Sequence, residues 1–212
     1  WPLTVTVSLT GEFEEPLTRT TARTDADMEF TATPHIDGLS ADTRYRYRLS
    51  IDGQQLDHTW AFRTYPPAGA ASSFTVAFGG GAGYTPQHER MWKTIAERNP
   101  RATLLLGDNV YIDSPKQPPT QQYCYYRRQS RPEFRSLVSE SSVYAIWDDH
   151  DFVTNDGRGG PRPHRPSWKV RVWEVFRNQW NNPRYGGGRE QPGCWFDFHM
   201  GDVQFFMLDG RY

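Results

Sequence analysis

Ala102-Thr103-Leu104-Leu105-Leu106-Gly107-Asp108 decides the fold of this chain. A short apolar run that ends on a glycine and an aspartate reads as a strand buried on both faces, with its C-terminal end carrying polar chemistry. Working upstream, Asn99-Pro100 stops a preceding helix. Thr85 is placed to cap that helix, Pro86 suits its first position, and Met91, Trp92, Ile95 and Ala96 form its apolar stripe. Before it come the glycine turn Gly79-Gly80-Gly81-Ala82-Gly83 and a short apolar strand, Phe74–Phe78. Strand, helix, strand in this order is a βαβ unit, expected to be parallel with a right-handed crossover.

Downstream the pattern continues as α/β. Pro132–Ser139 reads as a helix and Val143–Trp147 as a strand that ends on Asp148-Asp149-His150. Ser167–Trp180 stacks Trp168, Val172, Val175, Phe176 and Gln179 near one side of a long helix. Cys194–His199 and Val203–Leu208 read as a hairpin around Met200-Gly201-Asp202, and the last strand ends on Asp209.

The N-terminal part has another texture. Leu3–Leu9 alternates apolar and hydroxyl residues, and Thr43–Leu49 alternates most clearly before Asp52-Gly53 turns the chain. Met28–Thr33 and Thr59–Thr64 are read as further strands, so this part is expected to be an all-β sandwich. Gly38-Leu39-Ser40-Ala41-Asp42-Thr43-Arg44-Tyr45-Arg46-Tyr47 resembles the tyrosine corner of fibronectin type III-like domains, with the second tyrosine closing the turn. Pro66-Pro67-Ala68-Gly69-Ala70-Ala71-Ser72-Ser73 reads as a linker. The expected organisation is therefore a β-sandwich at 1–65, a linker at 66–73 and an α/β domain at 74–212.

Composition bounds the function. A formal net charge of −1 gives no general field for nucleic acid or an anionic membrane. No apolar run approaches the roughly 20 residues needed to span a bilayer. The chain starts at Trp1 rather than Met, which leaves a removed export signal open. Cys124 and Cys194 are the only cysteines. They read either as a pair in an oxidising compartment or as two partly buried thiols.

Three strands run into acids: Asp108, then Asp148 and Asp149, then Asp209. Ligands bind at that edge of open α/β sheets, and Asp, Asn, His and Tyr there supply hard oxygen and imidazole donors for divalent or trivalent cations. In Trp147-Asp148-Asp149-His150-Asp151 three carboxylates flank one histidine, a costly cluster unless a cation compensates it. Other phosphate and metal motifs fail. The glycine turn lacks the Gly-Lys-Ser/Thr ending of a P-loop, and Tyr84 stands where a dinucleotide fingerprint needs its last glycine. Counted from Asp151, Val153 spoils an EF-hand loop and Gly157 arrives one place late.

Gly107-Asp108-Asn109-Val110-Tyr111-Ile112-Asp113, Trp147-Asp148-Asp149-His150-Asp151 and Phe205-Phe206-Met207-Leu208-Asp209-Gly210-Arg211 resemble, in order and spacing, the motifs of the alkaline phosphatase D (PhoD-like) metallophosphoesterases. That resemblance implies a fibronectin-like domain followed by a calcineurin-like, purple acid phosphatase-like catalytic domain. It implies hydrolysis of phosphate monoesters or diesters, by hydroxide generated at two or more metal ions, Fe3+ with Ca2+ or another divalent ion. It implies metal ligation by Asp108, Tyr111, Asp149, Asn155 and Asp209, a charge-stabilising or proton-donating His150, a phosphate contact from Arg211, and supporting roles for Asn109 and Asp148. It also implies a small-molecule phosphoester substrate and a secreted, extracytoplasmic location.

Two departures stand out. Gly80-Gly81 occupies the place where many members have Ser-Cys with an iron-binding Cys. The family's later Gly-Asp-x-His segment is not met before Tyr212, and Gly201-Asp202-Val203-Gln204 only imitates it. The expectation is a catalytic domain lacking its C-terminal part, poorly stable and inactive as a fragment. The rival reading, favoured by Gly81, is a non-catalytic binding protein that keeps a structural cation. A carbohydrate-binding or adhesive module has only the β domain in its favour.

Overall fold

The computed structural model describes residues 1–212, which form two compact units. One is Trp1–Ser72 with His199–Val203; the other is Ser73–Phe198 with Gln204–Tyr212.

In the first unit, β1 (Pro2–Ser8), β2 (Thr18–Arg23), β3 (Arg44–Ile51), β4 (Gln54–Gln55) and β5 (Trp60–Arg63) build one antiparallel sheet. Its order is β2-β1-β3-β4, and β5 pairs with the start of β3. Alternation decides the faces: Val5, Val7 and Tyr45 are buried, with Leu39, Tyr47, Leu49 and Phe62 packed on them.

Three expectations change here. The region expected to be a sandwich holds a single five-stranded sheet, and Met28–Thr33 is not one of its strands. Asp25 winds that segment into a turn. Its carbonyl accepts the N–H of Met28 (3.2 Å) and Phe30 (2.7 Å), and its carboxylate accepts that of Asp27 (2.7 Å). Glu29 and Phe30 then sit at φ 58° and 57°, in left-handed backbone that cannot extend a strand. The tyrosine corner is closed by the first tyrosine: Tyr45 Oη accepts the Ser40 N–H at 2.8 Å. Tyr47 lies farther along β3 and stacks on Trp60, ring centroids 5.5 Å apart.

The second unit starts with β6 (Val76–Gly79), α1 (Met91–Ala96) and β7 (Ala102–Leu106). It continues through α2 (Pro118–Gln129), α3 (Pro132–Glu140), β8 (Ser142–Ile146), α4 (Asp149–Phe152) and α5 (Trp168–Gln179) to β9 (Phe196–Met200) and β10 (Val203–Met207), of which His199, Met200 and Val203 fall in the first unit. β6, β7 and β8 form a parallel sheet in sequence order, as the βαβ pattern requires. Inward residues Leu105 and Ala145 join Trp92 of α1, Phe134 and Leu137 of α3, and Val172, Trp173, Val175 and Phe176 of α5 in one core. Fully burying such side chains contributes about 1.5–3 kcal/mol each.

Thr85 makes no capping bond; Pro86–His88 is an isolated 3-10 turn, and α1 begins only at Met91. β9 and β10 form a separate two-stranded sheet instead of extending the parallel one. Phe196 and Phe198 pack their rings on Tyr144 of β8 (5.8 and 4.4 Å), so the hairpin meets β8 through side chains. Phe78, Phe206 and Leu208 remain largely exposed. Cys124 and Cys194 are both buried and unpaired.

Candidate metal centre

The loops that leave β7 and β8 approach so closely that only glycine fits at 107. Its φ is +103°, and a Cβ there would lie 2.5 Å from Asp148 Cβ and 2.7 Å from Asp148 N. The chain stays left-handed at Asp108 (φ 49°), which carries that carboxylate toward the start of α4. Asp108, Asp149 and His150 each offer a ligand atom, and these atoms lie within 4.8 Å of one another.

α4 fixes the other side. It carries a reciprocal cap: the Asp148 side chain takes the Asp151 N–H, and Asp151 Oδ2 takes the Asp148 N–H at 3.0 Å. The acidic motif is thereby separated into three environments. Asp148 turns to the guanidinium of Arg211. Asp149 faces the group, with Oδ2 accepting the Asp156 N–H and Oδ1 3.4 Å from Arg211 Nη2. Asp151 points into the core, where it also accepts the N–H of Asn109 (3.2 Å) and Val110 (3.0 Å). Burial pushes its carboxyl up to about 7, against backbone donors that favour the ionised form.

Burial likewise raises the Asp108 carboxyl, helped by the charges of Asp148 and Asp149. For Asp149 burial acts upward, but the Asp156 N–H and Arg211 outweigh it and hold the carboxyl below its ordinary value. Burial opposes an imidazolium at His150, yet its Nδ1–H donates to Asp113 Oδ1 at 2.7 Å, and Asp113, Asp108 and Asp149 together raise it. The Tyr111 hydroxyl donates to Asp108 Oδ2 at 3.3 Å, and its ring lies 4.3 Å from that of His150. Burial and the Asp108 charge keep this phenol protonated to higher pH than usual.

Asp108 Oδ1 is buried and has no hydrogen-bond partner. An orphaned oxygen beside a second carboxylate and an imidazole fits a hard or borderline cation, which would neutralise the charge this loop concentrates.

The remaining expected site residues lie around this group. Asn109 is buried; its Nδ2 donates to the Ile146 carbonyl at 2.7 Å and to Asp151 at 3.3 Å. Asp209 sits apart and takes the Trp147 indole N–H (2.9 Å) and the backbone N–H of Cys194, Arg211 and Tyr212. Asn155 is exposed, its amide donating to Asp156 Oδ2 at 2.9 Å.

Sequence reasoning gave no role to Asp113, although it closes the quoted Gly107–Asp113 motif. It also missed the ion pair of Arg128 with Glu89 at 3.0 Å, both essentially inaccessible to solvent. From α2, Arg128 donates to the carbonyls of Asn109 (2.9 Å) and Ala82 (2.6 Å), joining the loop that carries Asp108 to the glycine turn. The signal was present in Gln121, Cys124, Tyr125 and Arg128, buried at helical spacing, but half of that stripe is polar.

No protein-family model and no curated protein matches this sequence. Among solved structures it is similar to PhoD, with a TM-score of 0.82 and 17% identity over 99% of this chain. It is also similar to the purple acid phosphatase PPD1 isolated from yellow lupin (Lupinus luteus) seeds, with a TM-score of 0.67 and 14% identity over 98% of this chain. The chain spans 45% of the length of PhoD and 40% of that of the lupin phosphatase. At such identities the likeness carries the fold alone, which this chain shares with the corresponding parts of those two structures.

Proposed function

We propose that this chain belongs to a metal-dependent phosphoester hydrolase acting on phosphate monoesters or diesters. The observation that carries the reading is the gathering of Asp108, Asp149 and His150 at the C-terminal ends of parallel strands, with Asp108 Oδ1 buried and unpartnered. Asp108 and Asp149 would hold the cation together with the Tyr111 phenol, iron(III) with calcium or another divalent ion being the pair the motifs favour. When bound, the metal supplies Lewis-acid polarisation of a phosphoryl oxygen and an acidified water.

The chain's own residues supply the rest. With Nδ1 committed to Asp113, His150 has Nε2 left to face a substrate, where as imidazolium it gives its proton to the leaving oxygen as the P–O bond breaks. Arg211, already beside Asp148 and Asp149, would contact the phosphoryl oxygens. Export from the cytoplasm belongs to the same reading; no helix is long and apolar enough to cross a membrane.

The second reading, a binding protein with a structural cation, draws on Gly81. It stands at φ +70°, strained for any cysteine that would supply an iron ligand there. The test uses full-length protein loaded with Fe3+ and Ca2+, assayed on 4-nitrophenyl phosphate and bis(4-nitrophenyl) phosphate. Turnover that falls about 100-fold or more in His150→Ala, with protein and metal content retained, supports the hydrolase. Metal-replete wild type that cleaves neither ester refutes it and leaves the structural cation.

A further inference from the structure

Arg19, Arg23, Arg44, Arg46, Arg48 and Arg63 are all the lysine and arginine residues of Trp1–Ser72, and every one lies on a strand. Every carboxylate of the same stretch lies in the segments between strands. Register puts the arginines on one face. Arg19 is opposite Thr6, which is opposite Arg48; Arg23 is opposite Pro2; Arg46 is opposite Ser8; Arg44 is opposite Arg63. Directly paired residues share a face and alternate residues return to it, so these positions form one arginine and hydroxyl surface. The core residues Val5, Val7 and Tyr45 occupy the other face.

The surface has spare charge. Arg63 pairs with Asp42 at 3.0 Å, and Arg48 lies 4.3 Å over the Phe13 ring. Arg19, Arg23, Arg44 and Arg46 are exposed and have no ion-pair partner. Like charges directly opposite one another, as Arg44 and Arg63 are, destabilise a sheet. The arrangement therefore costs stability unless an anion occupies the face.

We propose that this face binds a linear phosphate polyanion, laid along the strands. Arginines two apart on one strand are about 7 Å apart, and those on β2 and β3 about 10 Å apart across β1, a spacing that an extended chain of phosphates can meet at several points. Thr6, Thr21 and Ser50 add neutral donors between them. Two other classes of polyanion fit less well. A flat anionic bilayer would also have to approach the acidic connecting segments, whereas a thin chain need not. Single-stranded nucleic acid uses aromatic platforms for its bases, and here Tyr45, Tyr47, Trp60 and Phe62 share the opposite, inward face. This inference does not depend on the hydrolase reading, because it concerns binding alone and leaves the metal centre untouched.

The experiment measures binding of full-length protein to labelled long-chain inorganic polyphosphate as a function of salt. Four free arginines at about 0.7 per contact give a log–log salt slope near −3, roughly a 50-fold loss of affinity between 50 and 200 mM salt. Arg19→Gln/Arg23→Gln and Arg44→Gln/Arg46→Gln should each weaken binding about tenfold and roughly halve the slope, while Arg19→Lys/Arg23→Lys keeps most of it. Arg98→Gln/Arg135→Gln, the same charge change in the second unit, should have no effect. The proposal is overturned by absent binding, by equal loss in the Arg98/Arg135 control, by retained binding in folded Gln variants, or by a preference for oligo(dT) or phosphatidylglycerol vesicles over polyphosphate.

Discussion

Arg128→Met removes the buried cation that joins the glycine turn to the loop that carries Asp108. Glu89, 0% exposed, would lose its ion-pair partner at 3.0 Å and keep only the Trp92 indole N–H, 2.9 Å away. The carbonyls of Asn109 and Ala82 would lose their guanidinium donors as well. Breaking one side of a buried pair costs about 3–5 kcal/mol, which for a chain of this size lowers Tm by about 6–20 °C. Part of that is the penalty of a stranded carboxylate, so Glu89→Gln/Arg128→Met should recover a substantial share while still accepting from Trp92. Circular dichroism melting of the wild type, both single variants and the double variant gives the coupling directly. Because Asn109 adjoins Asp108, titration with metal should also show about tenfold or greater weakening in Arg128→Met. A single variant melting within about 3 °C of wild type, or a double variant no better than the single, would refute the account of Arg128 as a buried tie.

Two further perturbations separate architecture from ligation. Gly107→Ala forces a side chain into φ +103° and onto Asp148 Cβ at 2.5 Å. It should lower unfolding free energy by about 3 kcal/mol or more in urea titration, and a loss below about 1 kcal/mol would mean the loops can part. Asp209→Ala strands the Trp147 indole and three backbone N–H groups, a loss of about 3 kcal/mol, whereas Asp209→Asn should restore most of it. Elemental analysis of the Asn variant then decides the ligand role: unchanged metal content makes Asp209 a structural residue, and reduced content makes it a ligand.

Much of the site's location was legible because strand ends are set by local sequence. Apolar runs that stop on Gly107-Asp108 and on Asp148-Asp149-His150 place those acids at one sheet edge once the strands are parallel, and the βαβ order makes them parallel. What the motif could not reveal is how three carboxylates in one short segment divide. Helix geometry and a reciprocal cap send Asp148 to Arg211, Asp149 toward Asp108, and Asp151 into the core. The repulsion expected from their adjacency is relieved by divergence.

The misread elements share a cause. Met28–Thr33 has strand-like composition, but one carboxylate and one carbonyl of Asp25 outcompete the sheet for its backbone. α2 has a buried stripe with Gln121 and Arg128 in it, and a polar stripe is invisible to hydrophobic periodicity. Arg128 becomes a core residue only because Glu89, Asn109 and Ala82, all distant from it in sequence, supply the charge and acceptors that let a guanidinium leave water. By itself the sequence determined the parallel βαβ order around Ala102–Asp108, the alternation of the first sheet and the residue types at the strand ends, since these follow from local periodicity and turn chemistry. Only the tertiary structure decided which carboxylates meet and which are tied to arginines, because each outcome depends on partners brought together across the chain.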